Sequence, residues 1–169
     1  TWDRESVDVG TVFRDVEAAS AKLLAERTLF VTFDVPDQQV RVLGDRAALQ
    51  LALSNLVNNA VKFTPDGGQV RCCLDVIDDH ARVIVHDTGL GIPKDEVHRV
   101  FDRFWRSTTS QTYEIQGTGM GMATVLGVVS AHGGNVVVDS DHLSGTTVTM
   151  LLPLTTSSGA VDRADDRLE

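Results

Sequence analysis

The chain has 169 residues, 42% of them hydrophobic, and a formal net charge of −9. That is enough apolar material for one domain with a core, and it leaves no basic stripe to neutralise a run of nucleic-acid phosphates. Its two cysteines, Cys72 and Cys73, are adjacent in a strand-like run that sends successive side chains to opposite faces, which excludes a disulfide scaffold and points to a reducing compartment.

The opening TWDRESVDVG has neither the charged nor the apolar region of a signal peptide, and no apolar stretch approaches the roughly 20 residues of a membrane span. A soluble, cytoplasmic, monomeric domain without direct membrane contact is expected, whether free or as the cytoplasmic part of a membrane-bound protein. Val9, Val12, Phe13, Val16, Ala19, Leu23 and Leu24 then recur at helical spacing and predict an amphipathic helix over about residues 8–27. LFVTFDV and QVRVLG read as two short strands around Pro36-Asp37. Asp45 can cap a second helix carrying Leu49, Leu53, Leu56, Val57, Ala60 and Val61, which Pro65 ends near Thr64. QVRCCLDVI and ARVIVHDTG form a predicted hairpin around Asp78-Asp79, followed by a glycine-rich loop, a short helix near 94–101 and a polar segment over 106–116. GTGMGMATVLGVVSAHGG enters a third helix that stops at Gly133-Gly134. NVVVDS and TTVTMLLP close the domain as strands, and TTSSGAVDRADDRLE (155–169) has the composition of a disordered tail. Blocks of hairpins and helices predict an α+β architecture, with about three helices on one face of a mixed, mostly antiparallel sheet.

The second helix carries an anomaly. Asn55, Asn59, Lys62 and Phe63 fall along one side of it, separated by four, three and one positions. Asparagine is a mediocre helix former, its amide oxygen is a hard ligand suited to Mg2+, and a lysine one turn further can meet a phosphate. Against a merely solvated stripe, that combination reads as a grip on a metal-bound phosphate. Further on, Val83, Val85 and Asp87 share one strand face, so a carboxylate ends an apolar row; it either caps the turn with Thr88-Gly89 or serves a donor brought to it. Gly89 and Gly91 permit close approach of backbone to a ligand. Gly117, Gly119 and Gly121 stand before a helix whose N–H groups and dipole favour phosphate. Their G-x-G-x-G spacing is not the dinucleotide fingerprint and does not directly follow a strand.

Taken in order, these segments resemble the boxes of the catalytic and ATP-binding domain of sensor histidine kinases, in the GHKL (Bergerat) ATPase superfamily. NLVNNAVKF is similar to the N box, DTGLGIP to the G1 box, VFDRFWR to the F box, GTGMGMA to the G2 box and SGTTVTMLLP to the closing strand, over roughly residues 40–153. The resemblance implies a two-layer α/β sandwich, the Bergerat fold, with residues 1–10 as a linker from dimerisation helices, a catalytic domain over 11–154 and an ATP lid over about 105–117. Trp2 reads as a remnant of the dimerisation interface.

The resemblance also implies roles. Asn59 would coordinate Mg2+, Asn55 would support the phosphate and metal cluster, and Lys62 would neutralise phosphate charge. Phe63 would lie against adenine or ribose, Asp87 would accept the adenine amino group, and Thr146 would join that contact. Arg106, or alternatively Arg103, would reach the terminal phosphate, while Phe101 and Phe104 anchor the lid. The implied ATP-binding positions continue through Gly89, Gly91 and Ile92, and through Gly117, Thr118, Gly119, Met120, Gly121 and Met122, the glycines acting as hinge and cradle. Met120, Met122 and Thr124 depart from the aliphatic residues usual there, so altered lid packing with retained binding is expected.

Asn55 separates reaction classes. Related ATPases of the gyrase, mismatch-repair and chaperone kinds place a glutamate there to activate water, and an amide is no general base. The implied reaction is transfer of the γ-phosphoryl group of Mg-ATP to a histidine, in a bacterial two-component phosphorelay, since a neutral imidazole is already nucleophilic. None of His80, His86, His98, His132 and His142 stands in an H-box-like helix. The phosphoacceptor is therefore expected on a separate histidine-containing dimerisation domain, in the same parent chain or on a split-kinase partner, with a response regulator downstream. Two other readings are an ATP-sensing interaction module with little transfer, and a self-contained ATPase, which Asn55 disfavours.

Overall fold

The computed structural model describes residues 3–156; the predicted tail beyond 156, and Trp2, lie outside the described residues. Strand β1 (Glu5–Asp8) leads directly into helix α1 (Val9–Ala25), with Asp8 as the hinge between them: its carboxylate accepts the Gly10 N–H at 3.1 Å as an N-cap and the Val40 N–H at 3.2 Å. The composition of the opening ten residues gave no sign of β1, which pairs antiparallel with β3 (Arg41–Gly44) as a separate two-stranded sheet. Beyond β3, Leu154 bridges back to Val42, and the Thr155 N–H donates to the Arg41 carbonyl.

The main sheet has five strands in the order β2-β4-β5-β7-β6, namely β2 (Phe30–Asp34), β4 (Gln69–Ile77), β5 (His80–Asp87), β6 (Asn135–Ser140) and β7 (Thr146–Pro153). Only β2 and β4 run parallel; the other ladders are antiparallel, as the α+β reading requires. Helix α2 (Arg46–Phe63) begins where expected, its Ala48 N–H held by the Asp45 carboxylate at 3.0 Å. It ends at Thr64, before Pro65. Helices α1, α2 and α4 (Gly121–Ala131) cover one face of the main sheet, α2 lying against β4 and β5 and α4 against β6 and β7.

Period-two alternation sends Val70, Cys72 and Leu74 of β4, Ala81, Val83 and Val85 of β5, and Val148, Met150 and Leu152 of β7 into that helical layer. There they meet Leu53, Leu56, Val57 and Val61 of α2 and Val125, Val128 and Val129 of α4. Burial pushes the Cys72 thiol up to about 12, so it is inert packing, while Cys73 faces the other side of the sheet and no disulfide joins them. His132 is a structural histidine. Its Nδ1 lies 2.7 Å from the Val128 carbonyl and its Nε2 accepts the Asp45 N–H at 3.0 Å, tying the end of α4 to the start of α2.

Two expected elements are smaller or more ordered than the sequence suggested. The helix near 94–101 is a single 3-10 turn, Val97–Arg99, because Pro93 and the surrounding turns close only i→i+3 bonds. The polar segment contains a short helix, α3 (Thr108–Thr112), which Ser107 caps by accepting the Ser110 N–H at 3.0 Å.

Candidate functional site

Between α2, the β5 end, the α3 segment and the α4 entrance lies a cavity of about 270 Å3. Asn55, Asn59, Lys62 and Phe63 line it together, and with Gly121 opposite Asn55 and Asn59 the amides face the α4 entrance. Lys62 stands 4.8 Å over the Phe63 ring. Burial, and then the nearby Arg106 charge, lower the Lys62 ammonium from its usual range. Neither cation takes part in any of the ion pairs found among the described residues.

At the other end, Asp87 is 6% exposed. Its Oδ1 accepts the Gly89 N–H at 2.8 Å, so the turn-capping role weighed from the sequence is present, and the carboxylate also borders the cavity. Burial pushes the Asp87 carboxyl up to about 6, against the N–H bonds from Gly89 and Thr146 and the charge of His86, which pull it down. The β5–β7 register sets Asp87 opposite Thr146 and Val85 opposite Val148, and all four line the cavity. Ser140 completes this end: its hydroxyl accepts the Ile92 N–H at 2.8 Å, donates to the Gly145 carbonyl at 2.9 Å and pairs with the Thr146 hydroxyl at 2.8 Å.

Glycine is required here for space as well as conformation. Gly91 (φ +65°) and Gly145 (φ +82°) both lie in the left-handed region, and a Cβ would overlap the Asp141 carbonyl at the first and the Asp87 carbonyl at the second.

The segment over the cavity is held at both ends. Arg106 donates to the Ile115 carbonyl, Thr108 gives its N–H to Glu96 at 2.9 Å and its hydroxyl to the same carboxylate, and the Thr109 hydroxyl meets His142 Nδ1 at 3.2 Å. Trp105, Ser107, Thr109 and Ser110 line the cavity from this side.

Of the positions singled out from the sequence, Gly91, Ile92, Arg106, Gly117, Thr118, Gly119, Gly121, Met122 and Thr146 also line the cavity. Five do not. Gly89 forms the buried turn behind Asp87, Phe101 packs against the core, and Met120 caps α4, accepting the Thr124 hydroxyl. Arg103 and Phe104 flank a more open depression with Glu96, Arg99 and Arg106, Phe104 at 74% exposure and φ +64°. Arg106, and not Arg103, therefore faces the cavity. Sequence reasoning missed the apolar walls Leu56, Val85, Val138 and Val148, which look like any core residue, and the hydroxyls of Ser107, Thr109 and Ser110. The signal for Val85 and Val148 was available: each lies two residues from a site residue on the same strand face.

Residues 44–156 match the family model described as histidine kinase-, DNA gyrase B- and HSP90-like ATPase. The chain belongs to that family. The sensor histidine kinase WalK of Bacillus subtilis is 39% identical over 122 residues, covering 71% of this chain and 20% of WalK. The histidine-protein kinase BaeS of Escherichia coli is 29% identical over 153 residues, covering 90% of this chain and 32% of BaeS. Among solved structures, the mycobacterial sensor histidine kinase MprB superposes with a TM-score of 0.78 at 33% identity, covering 89% of this chain and 97% of that one. Full-length ShkA in complex with AMPPNP superposes with a TM-score of 0.79 at 28% identity, over 94% of this chain and 33% of ShkA. The chain thus spans a fifth to a third of the length of WalK and BaeS. The recognition drawn from the five boxes, a sensor-kinase catalytic and ATP-binding domain, holds. No helix among the described residues is long and apolar enough to cross a membrane.

Proposed function

We propose that this domain binds Mg-ATP in the cavity and transfers the γ-phosphoryl group to a histidine on a dimerisation and phosphoacceptor domain, in the same parent chain or in a partner. The observation that carries the reading is the polarity of the cavity: a buried carboxylate at one end, and at the other two cations that form no ion pair among the described residues. Adenine fits the first end, where the Asp87 carboxylate accepts the exocyclic amino group and Thr146 lies opposite, with Val85, Val148 and Val138 as apolar walls. The triphosphate fits the second, where Lys62 and Arg106 offset charge on the terminal oxygens.

The donor set also suits Mg2+. No group of three or more His, Cys, Asp or Glu side chains among the described residues could cage a metal, but Mg2+ accepts a single protein oxygen when phosphates and water supply the rest. Asn59 would supply that oxygen, with Asn55 one turn earlier as its neighbour at the phosphates. When bound, Mg2+ would supply positive charge that offsets the negative charge of the transferring group.

The remaining chemistry belongs to the chain. Arg106 gives one nitrogen, Nη2, to the Ile115 carbonyl, and exchange of that carbonyl for the terminal phosphate would couple phosphate contact to rearrangement of the α3 segment. Asn55 cannot take a proton from water, so hydrolysis stays slow, while an incoming neutral imidazole has less need of a base. The bond between the γ-phosphorus and the β,γ-bridging oxygen breaks as the phosphorus–nitrogen bond forms, and ADP departs.

The test is transfer from radiolabelled Mg-ATP to candidate histidine-containing dimerisation domains mixed with this chain. Acid-labile label on the partner, lost in Asn59→Ala, is the expected result. Absence of label from every dimerisation domain, with ATP binding intact, would favour the nucleotide-sensing module instead.

A further inference from the structure

Lys62 forms no ion pair among the described residues, and the ring it stands over, Phe63, is carried by the same helical turn, so its placement depends on that backbone. That backbone is the last turn of α2, where helical carbonyls run out of N–H partners. The carbonyls there are answered individually: Ala60 by the Thr64 hydroxyl at 2.6 Å, Phe63 by the Leu90 N–H at 3.0 Å, and both Val61 and Thr64 by one side chain, Arg27, through Nη1 at 2.9 Å and Nη2 at 2.6 Å. Arg27 lies just beyond the end of α1 and does not line the cavity.

Its third nitrogen, Nε, donates to Asp66 Oδ1 at 2.9 Å, and the same oxygen accepts the Thr28 N–H at 3.2 Å. The Gly67 N–H returns to the Thr28 carbonyl at 2.5 Å, so the turns after α1 and α2 are cross-tied around the guanidinium. The Arg27 side chain is 26% exposed. All three of its nitrogens are used, two on carbonyls that flank Lys62 and Phe63, and its positive charge sits at the negative end of α2.

We infer that Arg27 is a positioning residue for Lys62, acting through the α2 terminus and never touching nucleotide. The inference rests on the Mg-ATP reading of the cavity. Phe63 keeps its own tie through the Leu90 N–H, and Asp87 is fixed by the sheet, so loss of Arg27 frees the phosphate end and leaves the base end in place. A stability-only helix cap makes no such distinction.

The experiment is calorimetric titration of the whole chain with Mg2+ plus a non-hydrolysable ATP analogue, and separately with adenosine, for wild type, Arg27→Ala, Arg27→Lys, Lys62→Ala and the double variant. Arg27→Ala is expected to weaken the ATP analogue about tenfold, the scale seen when a supporting residue behind a ligand is removed, with adenosine affinity held. Arg27→Lys keeps the charge but only part of the three-way bridge and should fall between. In the double variant the losses should not add, because both act through one side chain. Equal losses for ATP analogue and adenosine, or additive losses in the double variant, would overturn the inference and leave Arg27 as a cap. If Arg27→Ala does not fold, Arg27→Lys carries the same comparison. Failure of wild type to bind the ATP analogue is a separate result, which removes the nucleotide reading itself.

Discussion

The two ends of the cavity are built differently. At the Asp87 end every polar group is held by the sheet or by a glycine-tight turn: Asp87 faces Thr146 across a ladder, Ser140 joins three partners, and Gly145 packs against the Asp87 carbonyl. At the Lys62 end the groups come from a helix terminus and from the segment around α3, whose residues 111–114 are exposed and whose Arg106 is turned toward its own backbone. A rigid end suits recognition of a flat base, which gains from preorganisation. On the proposed reading, opening and closing of this second end would serve phosphate chemistry, where water must be excluded after the ligand arrives.

The largest effect should come from the phosphate end of the proposed site. Asn59→Ala is expected to lower Mg2+-dependent nucleotide affinity by at least about 100-fold, since even supporting residues around a metal cost roughly 10–100-fold; calorimetry with and without chelator reads it, and unchanged Mg2+ dependence would remove Asn59 from the metal. Next, Gly145→Ala tests the rigidity of the base end. Positive φ and the overlap with the Asp87 carbonyl should lower stability by about 1–3 kcal/mol, measured by thermal or urea unfolding.

Asp87→Asn should then cost about tenfold in ATP-over-GTP preference, the value of roughly one hydrogen bond to a charged group, while nucleotide-free stability rises at neutral pH because a buried charge is removed. An unchanged ATP-over-GTP ratio would contradict the assignment of the base end.

The pH dependence sharpens the same point. The folded Asp87 carboxyl sits at about 6, above its ordinary range, so the folded state binds the extra proton. Its contribution to stability is therefore present at low pH and is lost as pH rises from the ordinary carboxylate range through about 6. Adenine binding runs the opposite way, because the ionised carboxylate is the better acceptor, and affinity should fall below about pH 6. Unfolding and titration series in wild type and Asp87→Asn check both slopes. The smallest effect belongs to Phe104→Ala. At 74% exposure its removal should change stability by less than about 0.5 kcal/mol, as a thermal melt would show.

Much of this was legible in the sequence because it is local. The Asp45 cap, the end of α2 before Pro65, the hairpin at Asp78-Asp79 and the stop of α4 at Gly133 each follow from a few neighbouring residues, and each is where it was expected. The alignment of Asn55, Asn59, Lys62 and Phe63 on one helical side is likewise a matter of spacing. Strand β1 was not legible, because four residues with two acids show no strand pattern; β3 and the Asp8 cap make it a strand. The choice between Arg103 and Arg106 was open for a related reason. Three positions apart in an irregular turn, either could face inward; Arg103 borders only the outer depression, while Arg106 borders both it and the cavity.

By itself the sequence determined the class of the domain, the order of its boxes and the residues of the helical stripe, since periodicity and turn chemistry act over a few positions. Only the tertiary structure decided which apolar residues wall the cavity, which arginine enters it, and that Arg27 closes the end of α2 from 34 and 37 residues away. Those facts depend on contacts between elements distant in the chain, and no local pattern encodes a partner that only packing brings near.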